Sequence, residues 1–309
     1  MAMRFATVAT GGVNGYLAVK LAEGGADVAC LARGAHLEAI RARGLRLVGP
    51  AGESVGRPRL ATDDPGAIGP VDVILFAVKA QDLDGAAPLC LPMMGPETVV
   101  IPFLNGVEAS ERLEHHLGAG RVLEGTCGIS IFLGEPGRLD MASSFAWYKF
   151  AERDGTRSER AEAIAAAMRA AGIDAAVPED IRVELWRKFL MLATLAGVTA
   201  AGRCSAGDIQ ASEALSALVR DCVAEIGALA RAKGVPITEK DEAKVGEIIA
   251  GFPAGMRASM AKDLDAGRPI EVDWLSGAVA RLSAAEGLEA PAHRTLAALL
   301  APWRLGRRR

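Results

Sequence analysis

The stretch FATVATGGVNGYLAVKLAEGGADVACLAR, residues Phe5 to Arg33, decides how the first half of the chain is read. An apolar run from Phe5 to Ala9 meets the turn Thr10-Gly11-Gly12-Val13-Asn14-Gly15, after which Leu17, Leu21 and Ala22 mark one face of a helix. A second apolar run, Asp27 to Ala32, follows. Strand, glycine turn, helix and strand in this order form the βαβ unit that binds nucleotides. A residue without Cβ lets the backbone approach a pyrophosphate, and the helix N-terminus attracts its charge. Gly11 and Gly12 meet that need. The GxGxxG spacing is incomplete in either register: one puts Ala9 and Asn14 in glycine positions, the other aligns Thr10, Gly12 and Gly15. Thr10, Gly11, Gly12 and Gly15 are therefore the expected phosphate-cradling residues.

The second strand closes on Arg33, where an NAD-binding protein carries an acid for the ribose 2′-hydroxyl. Arginine at a strand end is commonly just a surface residue. Its spacing from the glycines argues otherwise, because a guanidinium suits a 2′-phosphate through paired charged hydrogen bonds. NADPH/NADP is the predicted cofactor, in preference to NADH.

Outward from this unit, strand signals recur at Val71 to Val78, Thr98 to Phe103 and Val122 to Phe132, with helical segments between most of them. Such alternation predicts a parallel sheet covered by helices. The run Val71 to Val78 is apolar on both faces, as in a central strand, and stops at Lys79. In an open α/β sheet ligands gather at the carboxyl ends of the strands, which predicts that the glycine turn, Arg33, Lys79 and Asn105 converge. Phe145 to Ala151 and Ile173 to Val177 read as further strands, with a helix at Ser158 to Ala171 between them. After Pro178 the pattern turns helical: Glu179 to Ala201, Ile209 to Lys233, Glu239 to Ala250, Ile270 to Glu286 and Ala292 to Leu300. The expected architecture is an α/β Rossmann-type amino-terminal domain, 1–178, and an all-α carboxyl-terminal domain, 179–309, sharing a cleft.

The 309 residues suffice for two cores, and a composition 50% hydrophobic and 24% charged, with net charge -3, gives no sign of disorder or of a nucleic-acid partner. The basic tail Arg304, Arg307, Arg308 and Arg309 reads as a solvated, frayed end. Five cysteines lie without paired spacing, which predicts neither disulfides nor a zinc site, and the four histidines lack metal spacing and receive no chemistry. The first residues run straight into a strand without a signal peptide, and the apolar run Phe189 to Gly202 is too short to span a bilayer. These features predict a cytoplasmic protein with no membrane partner; amphipathic helices in the second domain could support a homodimer.

Six segments in order, ATGGVNGYLA, the arginine closing the second strand, AVKAQD around Lys79, FLNGV around Asn105, LWRKF around Lys188, and SMAKDLDAGRPIEVD from Ser259 to Asp273, resemble those of the 2-dehydropantoate 2-reductases, or ketopantoate reductases. The resemblance covers nearly the whole chain. It implies NADPH-dependent reduction of a 2-keto acid, most simply ketopantoate to pantoate in pantothenate biosynthesis, with Lys188 as proton donor. It also implies that Lys79 and Asn105 sit at the cofactor and nicotinamide end, and that Ser259 and Glu271 line the substrate side. A donor near the carbonyl oxygen lowers the barrier to hydride addition, because charge develops there. Lys188 shares a helix face with Leu185, Leu192 and Ala196, an apolar setting that calls for a carboxylate partner, and Glu271 is the natural one. Taken one at a time, these residues have plainer readings. Lys188 is a solvated helix residue, Glu271 a first-turn acid favoured by the helix dipole, Asn105 a turn former and Ser259 a cap.

Three positions depart from the family pattern. Leu192, Ala196 and Ala206 stand where the resemblance implies asparagines that bind substrate. Apolar side chains there remove hydrogen-bond partners and make the pocket greasier, which supports the reaction type better than the substrate. A more apolar ketone is therefore an alternative, as is a non-catalytic NADP-binding relative. The persistence of Lys188 with Glu271 argues against the latter. A hydroxy-acid dehydrogenase acting on a β-hydroxyacid shares the architecture and ranks below both.

Overall fold

The quoted stretch folds into β1 (Arg4–Val8), α1 (Gly12–Glu23) and β2 (Asp27–Leu31), with Arg4 of β1 opposite Asp27 and Val8 opposite Leu31 in parallel register. The chain continues through α2 (Gly34–Arg43), β3 (Leu45–Gly49), β4 (Gly52–Gly56), β5 (Leu60–Thr62), α3 (Pro65–Ile68), β6 (Val71–Phe76), α4 (Leu83–Ala86), β7 (Met94–Pro102) and α5 (Ala109–Leu117). Then come β8 (Glu124–Leu133), β9 (Arg138–Ala151), α6 (Glu159–Ala170) and β10 (Asp174–Ala176). This is a computed structural model, and it describes residues 3–307. Two units emerge. One contains the chain up to Leu104 and Glu108–Ile181, the other Asn105–Val107 and the chain from Arg182 onward.

In the first unit a parallel sheet runs in the order β5-β2-β1-β6-β7. The chain leaves β1 toward β2 on one side and returns as β6 on the other. The carboxyl end of β1 is thus the switch point at which such sheets bind ligands. The expectation that Val122 to Phe132 extends this sheet holds only at its start, where Val122 bridges Val100 of β7 in parallel; from Glu124 the run is β8, antiparallel to β9, in a second sheet of order β10-β9-β3-β4. The reason is local: Gly134-Glu135-Pro136-Gly137 is a hairpin turn, whereas a parallel return needs a crossover of about a dozen residues or more. The β3–β4 hairpin, turning at Pro50-Ala51, was likewise not foreseen.

Helix α1 is buried from Asn14 to Val19 and again at Leu21 because both sheets close on it. Its Leu17 and Leu21 share one core with Phe5, Val28 and Leu75 of the parallel sheet and with Leu45, Leu139 and Tyr148 of the second. The approach is so close that a Cβ on Gly12 would stand 2.9 Å from the Ile131 carbonyl oxygen, and one on Gly15 2.7 Å from Leu139 Cδ1. On the other side of the parallel sheet, Ile74 and Phe76 meet Leu83, Cys90, Met93 and Leu113 in a separate core.

The second unit contains α7 (Ile181–Ala201), α8 (Ala206–Ala211), α9 (Glu213–Ala232), α10 (Glu239–Ala250), α11 (Ser259–Asp265), α12 (Ser276–Ala285) and α13 (Pro291–Leu300). Side chains set the boundaries. Ser205 with Asp208 and Thr238 with Asp241 form capping boxes for α8 and α10. Ser212 accepts from the Leu215 N–H and starts α9, which divides the helix expected over Ile209 to Lys233. The helix expected from Ile270 begins only at Ser276, after a 3-10 turn at Val272–Trp274. Nor is the described part of the basic tail frayed: the Ile270 N–H donates to the Arg304 carbonyl and the Arg307 N–H to the Gly267 carbonyl, both at 3.1 Å. Arg308 and Arg309 lie outside the described residues.

All five cysteines are free and buried, and burial pushes the Cys90 and Cys222 thiols up to about 12. Among the described residues no helix is long and apolar enough to cross a membrane.

One buried acid makes the fold pH-sensitive. At the start of β8, Glu124 takes a 2.5 Å hydrogen bond from Ser110 Oγ, and its nearest cation, Arg153 Nε, is 3.7 Å away. Burial pushes its carboxyl from 4.5 up to about 7. Folding therefore binds a proton between those values. The contribution is fully present below the lower value and is lost as pH rises through the upper one. Urea unfolding of Glu124→Gln should show a shallower loss of stability than the parent between pH 5 and pH 8, roughly the window of the shift. Parallel pH profiles would refute this.

Candidate active site

The turn after β1 is held from several sides. Ala9 adopts a left-handed backbone, φ 59°, and its carbonyl accepts from the Gly11 N–H at 2.8 Å. Thr10 is buried, and both its N–H and its hydroxyl donate to the Leu31 carbonyl, at 3.2 and 3.0 Å, tying the end of β1 to the end of β2. Asn14 Nδ2 donates to the Val8 carbonyl at 2.7 Å and to the Leu75 carbonyl at 3.0 Å, which pins the opposite edge of β1 to β6. The glycines divide by role. Gly12 and Gly15 are the positions pressed against the second sheet, whereas a Cβ on Gly11 would meet nothing within 4 Å. Of the two possible registers, close packing selects Thr10, Gly12 and Gly15.

Helix α1 starts at this turn with no side-chain cap and no acid in its first turn. Its first N–H groups are thus left for another acceptor, the arrangement that suits a phosphate. Arg33 is exposed as the residue preceding α2, and its guanidinium makes no side-chain hydrogen bond or ion pair among the described residues. Lys79 is exposed where the chain leaves β6, and its carbonyl accepts from the Asp82 N–H.

In the helical unit, Asn105 Nδ2 donates to Glu271 Oε2 at 3.3 Å, and Glu271 is only 4% exposed. Gly106 follows at φ +99°, where a Cβ would lie 3.2 Å from the Trp274 carbonyl. Gly106 also lines a shallow concavity with Lys188, Leu185, Phe189 and Leu192. The loop thus meets both residues, Asn105 through its hydrogen bond to Glu271 and Gly106 through the concavity it shares with Lys188. Lys188 is half-buried on α7 and forms no ion pair among the described residues, so the direct pairing expected with Glu271 is not made; Asn105 is the partner instead. Glu271 does not cap the 3-10 turn that follows it. Ser259 is exposed at the first position of α11, and Ala258, not Ser259, is the residue preceding that helix. Of the positions that depart from the expected asparagines, Leu192 is half-buried beside Lys188, while Ala196 and Ala206 are buried.

Comparison with known proteins now bears on this arrangement. Residues 5–155 match the family model "Ketopantoate reductase PanE/ApbA", and residues 180–303 match its C-terminal counterpart. The chain belongs to this family. An uncharacterized oxidoreductase of Bacillus subtilis, YkpB, is 30% identical over 298 residues, covering 96% of this chain and 98% of the relative. A 2-dehydropantoate 2-reductase of Mesorhizobium japonicum is 31% identical over 301 residues, 91% of each chain. The crystal structure of a PanE/ApbA family ketopantoate reductase from Ralstonia eutropha superposes with a TM-score of 0.88 at 28% identity, over 98% of both chains. The Rossmann-type first unit and helical second unit are the fold of this ketopantoate reductase family, and the chain is an oxidoreductase.

Two of the four histidines are enclosed by the fold. His36 is half-buried beneath the turn: Nε2 lies 2.7 Å from the Thr10 carbonyl, and Nδ1 accepts from the Gly137 N–H at 3.0 Å. These partners assign the neutral tautomer with the proton on Nε2, and burial lowers the pKa below its ordinary 6.5. His293 is fully buried, with Nε2 3.2 Å from the Cys222 carbonyl, and burial lowers it to about 4. The available signal for His36 was its place in the first turn of α2, just after Arg33. Gly137, its second partner, is distant in sequence. Replacing His36 with Ala leaves the Gly137 N–H and the Thr10 carbonyl without this partner and should cost about 1–3 kcal/mol in urea unfolding at pH 7.5. A loss below about 0.5 kcal/mol would mean that water substitutes fully.

Proposed function

We propose that this member of the ketopantoate reductase family is an NADPH-dependent reductase of a 2-keto acid, with 2-dehydropantoate the first substrate to test and pantothenate biosynthesis the implied pathway. The observation that carries the reading is the half-buried Lys188, which forms no ion pair among the described residues and lies beside the loop whose Asn105 engages the buried Glu271. A positioned cation of this kind can deliver a proton to a carbonyl oxygen as charge develops there.

The cofactor fits the residues present. The uncapped N-terminus of α1 and the open face at Gly11 suit a pyrophosphate, and the guanidinium of Arg33, which has no partner among the described residues, suits a 2′-phosphate. Thr10, Gly12 and Gly15 serve by shaping the turn, and Lys79 adds a cation at the end of β6. The nicotinamide supplies the hydride. The proton is the task of the protein: Lys188 Nζ donates it to the carbonyl oxygen. Glu271 is assigned to a substrate hydroxyl, with Asn105 fixing the carboxylate through the 3.3 Å hydrogen bond, and the exposed hydroxyl of Ser259 to the substrate carboxylate.

Leu192 favours a second reading. It stands beside Lys188 in a concavity walled by Leu185 and Phe189, a surface that rewards an apolar substituent on the ketone. On that reading 2-dehydropantoate is turned over poorly and a bulkier, more apolar 2-keto acid well, and Leu192→Asn shifts the preference toward 2-dehydropantoate.

Two measurements test the proposal. NADPH oxidation with a panel of 2-keto acids should show turnover that falls about 10²- to 10⁴-fold in Lys188→Ala. Activity that survives the substitution removes Lys188 as the donor, and tight NADPH binding without turnover of any ketone points to a non-catalytic nucleotide-binding protein. Arg33→Asp should reverse the preference between NADPH and NADH, with a loss of NADPH affinity of about tenfold or more, as expected for charged hydrogen bonds. Equal affinities for both cofactors in the unsubstituted protein would refute the role given to Arg33.

A further inference from the structure

Arg307 of the basic tail, which the reductase reading leaves unused, lines a cavity. Arg203, Asp265, Arg268, Trp303 and Arg307 line a space of about 120 Å³ in the helical unit. That space admits one phosphoryl-sized group. The tail is held there by the bonds from Ile270 to the Arg304 carbonyl and from Arg307 to the Gly267 carbonyl. Two glycines permit the fold-back. Gly267, at φ +67°, lies under the Arg307 side chain, and a Cβ on it would fall 2.6 Å from Arg307 Cγ. Gly306, at φ +88°, approaches within 2.7 Å of the Gly267 carbonyl by the same measure.

The charges around this space do not balance. Asp265 is shared between Arg203, at 2.7 Å, and Arg257, while Asp263 is gripped by Arg268 through both Nε and Nη2 at 2.7 Å. Arg307 makes no side-chain hydrogen bond or ion pair among the described residues. Among the described residues, the paired network beside the space holds Arg203, Arg257 and Arg268 against Asp263 and Asp265, and Arg307 lines the space without such a pair, a surplus of two positive charges. A phosphate group carries about -1.5 to -2 at neutral pH and offers several acceptor oxygens, which matches both the charge and the free donors of Arg307.

We propose that this cavity is a binding site for a phosphate dianion, either inorganic phosphate or the phosphoryl group of a small monoester whose alcohol part projects into solvent. The site is independent of the cofactor turn and of the proposed reduction. Arg307 is its principal ligand, Arg203 and Arg268 supply the field, and the indole of Trp303, 40% exposed, forms a wall.

Equilibrium dialysis of radiolabelled inorganic phosphate against the full chain, at constant ionic strength, tests this. Saturable uptake of one equivalent is expected, weakened about tenfold or more by Arg307→Glu, which exchanges the free guanidinium for a like charge. Arg33→Ala, on the cofactor side, should leave it unchanged. Competition by glycerol 3-phosphate distinguishes the sources: displacement assigns the site to monoesters, and failure to displace assigns it to the free ion. Arg307 is exposed near the chain end, so a thermal melt matching the parent verifies that the variant is folded. Absence of saturable uptake, unchanged uptake in Arg307→Glu, or loss only in Arg33→Ala would each overturn the assignment.

Discussion

Helix α1 is squeezed between two sheets, and the glycine turn at its start inherits its shape from that squeeze. Beyond Gly12 and Gly15, Gly56 of β4 brings its Cα so close that an added Cβ would stand 2.4 Å from Val19 Cα. Backbone packed against backbone leaves no room for adjustment, and overfilling such a contact costs about 1–3 kcal/mol. The helix therefore cannot slide or rotate, and its first N–H groups emerge at one place at the carboxyl end of β1. Thr10 and Asn14 then lock the strand on either side, and His36 braces the turn from α2. The same contact explains why α1 is apolar nearly all round: it has no solvent face for most of its length.

The helical unit achieves order differently. Its boundaries are set by side chains of one hydroxyl or one carboxylate, such as Ser212 and the Thr238–Asp241 box, and its core is a single apolar cluster running from Trp186 to Leu300. The loop Asn105–Val107, which follows β7 in the chain, belongs with these helices. Its glycine at positive φ lets the backbone pass close to Trp274, and its asparagine reaches the buried Glu271. A buried carboxylate without such a donor would carry a large desolvation cost, so the pair is as much a condition of folding as a feature of the site.

Much of this was legible in the linear chain. The alternation of apolar runs with a glycine turn specified β1, α1, β2 and β6, because each of those elements buries a face whose period is written locally. The helix Glu239 to Ala250 was visible for the same reason, and the structure adds its cap, the capping box of Thr238 and Asp241. The second sheet was missed because its strands are recruited by hairpins at Pro50-Ala51 and Glu135-Pro136, and pairing partners leave no mark on hydrophobic period. The tail was misread as frayed because the carbonyl that holds Arg307 is that of Gly267, in the segment before α12.

Sequence by itself determined the family, the opening βαβ unit, the helical character of the second half and the residue types at the site, since short-range spacing and a chain-long set of motifs encode them. Tertiary structure alone decided the partners: that Gly12 and Gly15 serve packing while Gly11 faces open space, that Asn105 and not Lys188 engages Glu271, and that Arg307 closes a charged cavity. Each of these rests on atoms distant along the chain brought within about 3–4 Å, and contact at that range depends on how whole elements pack.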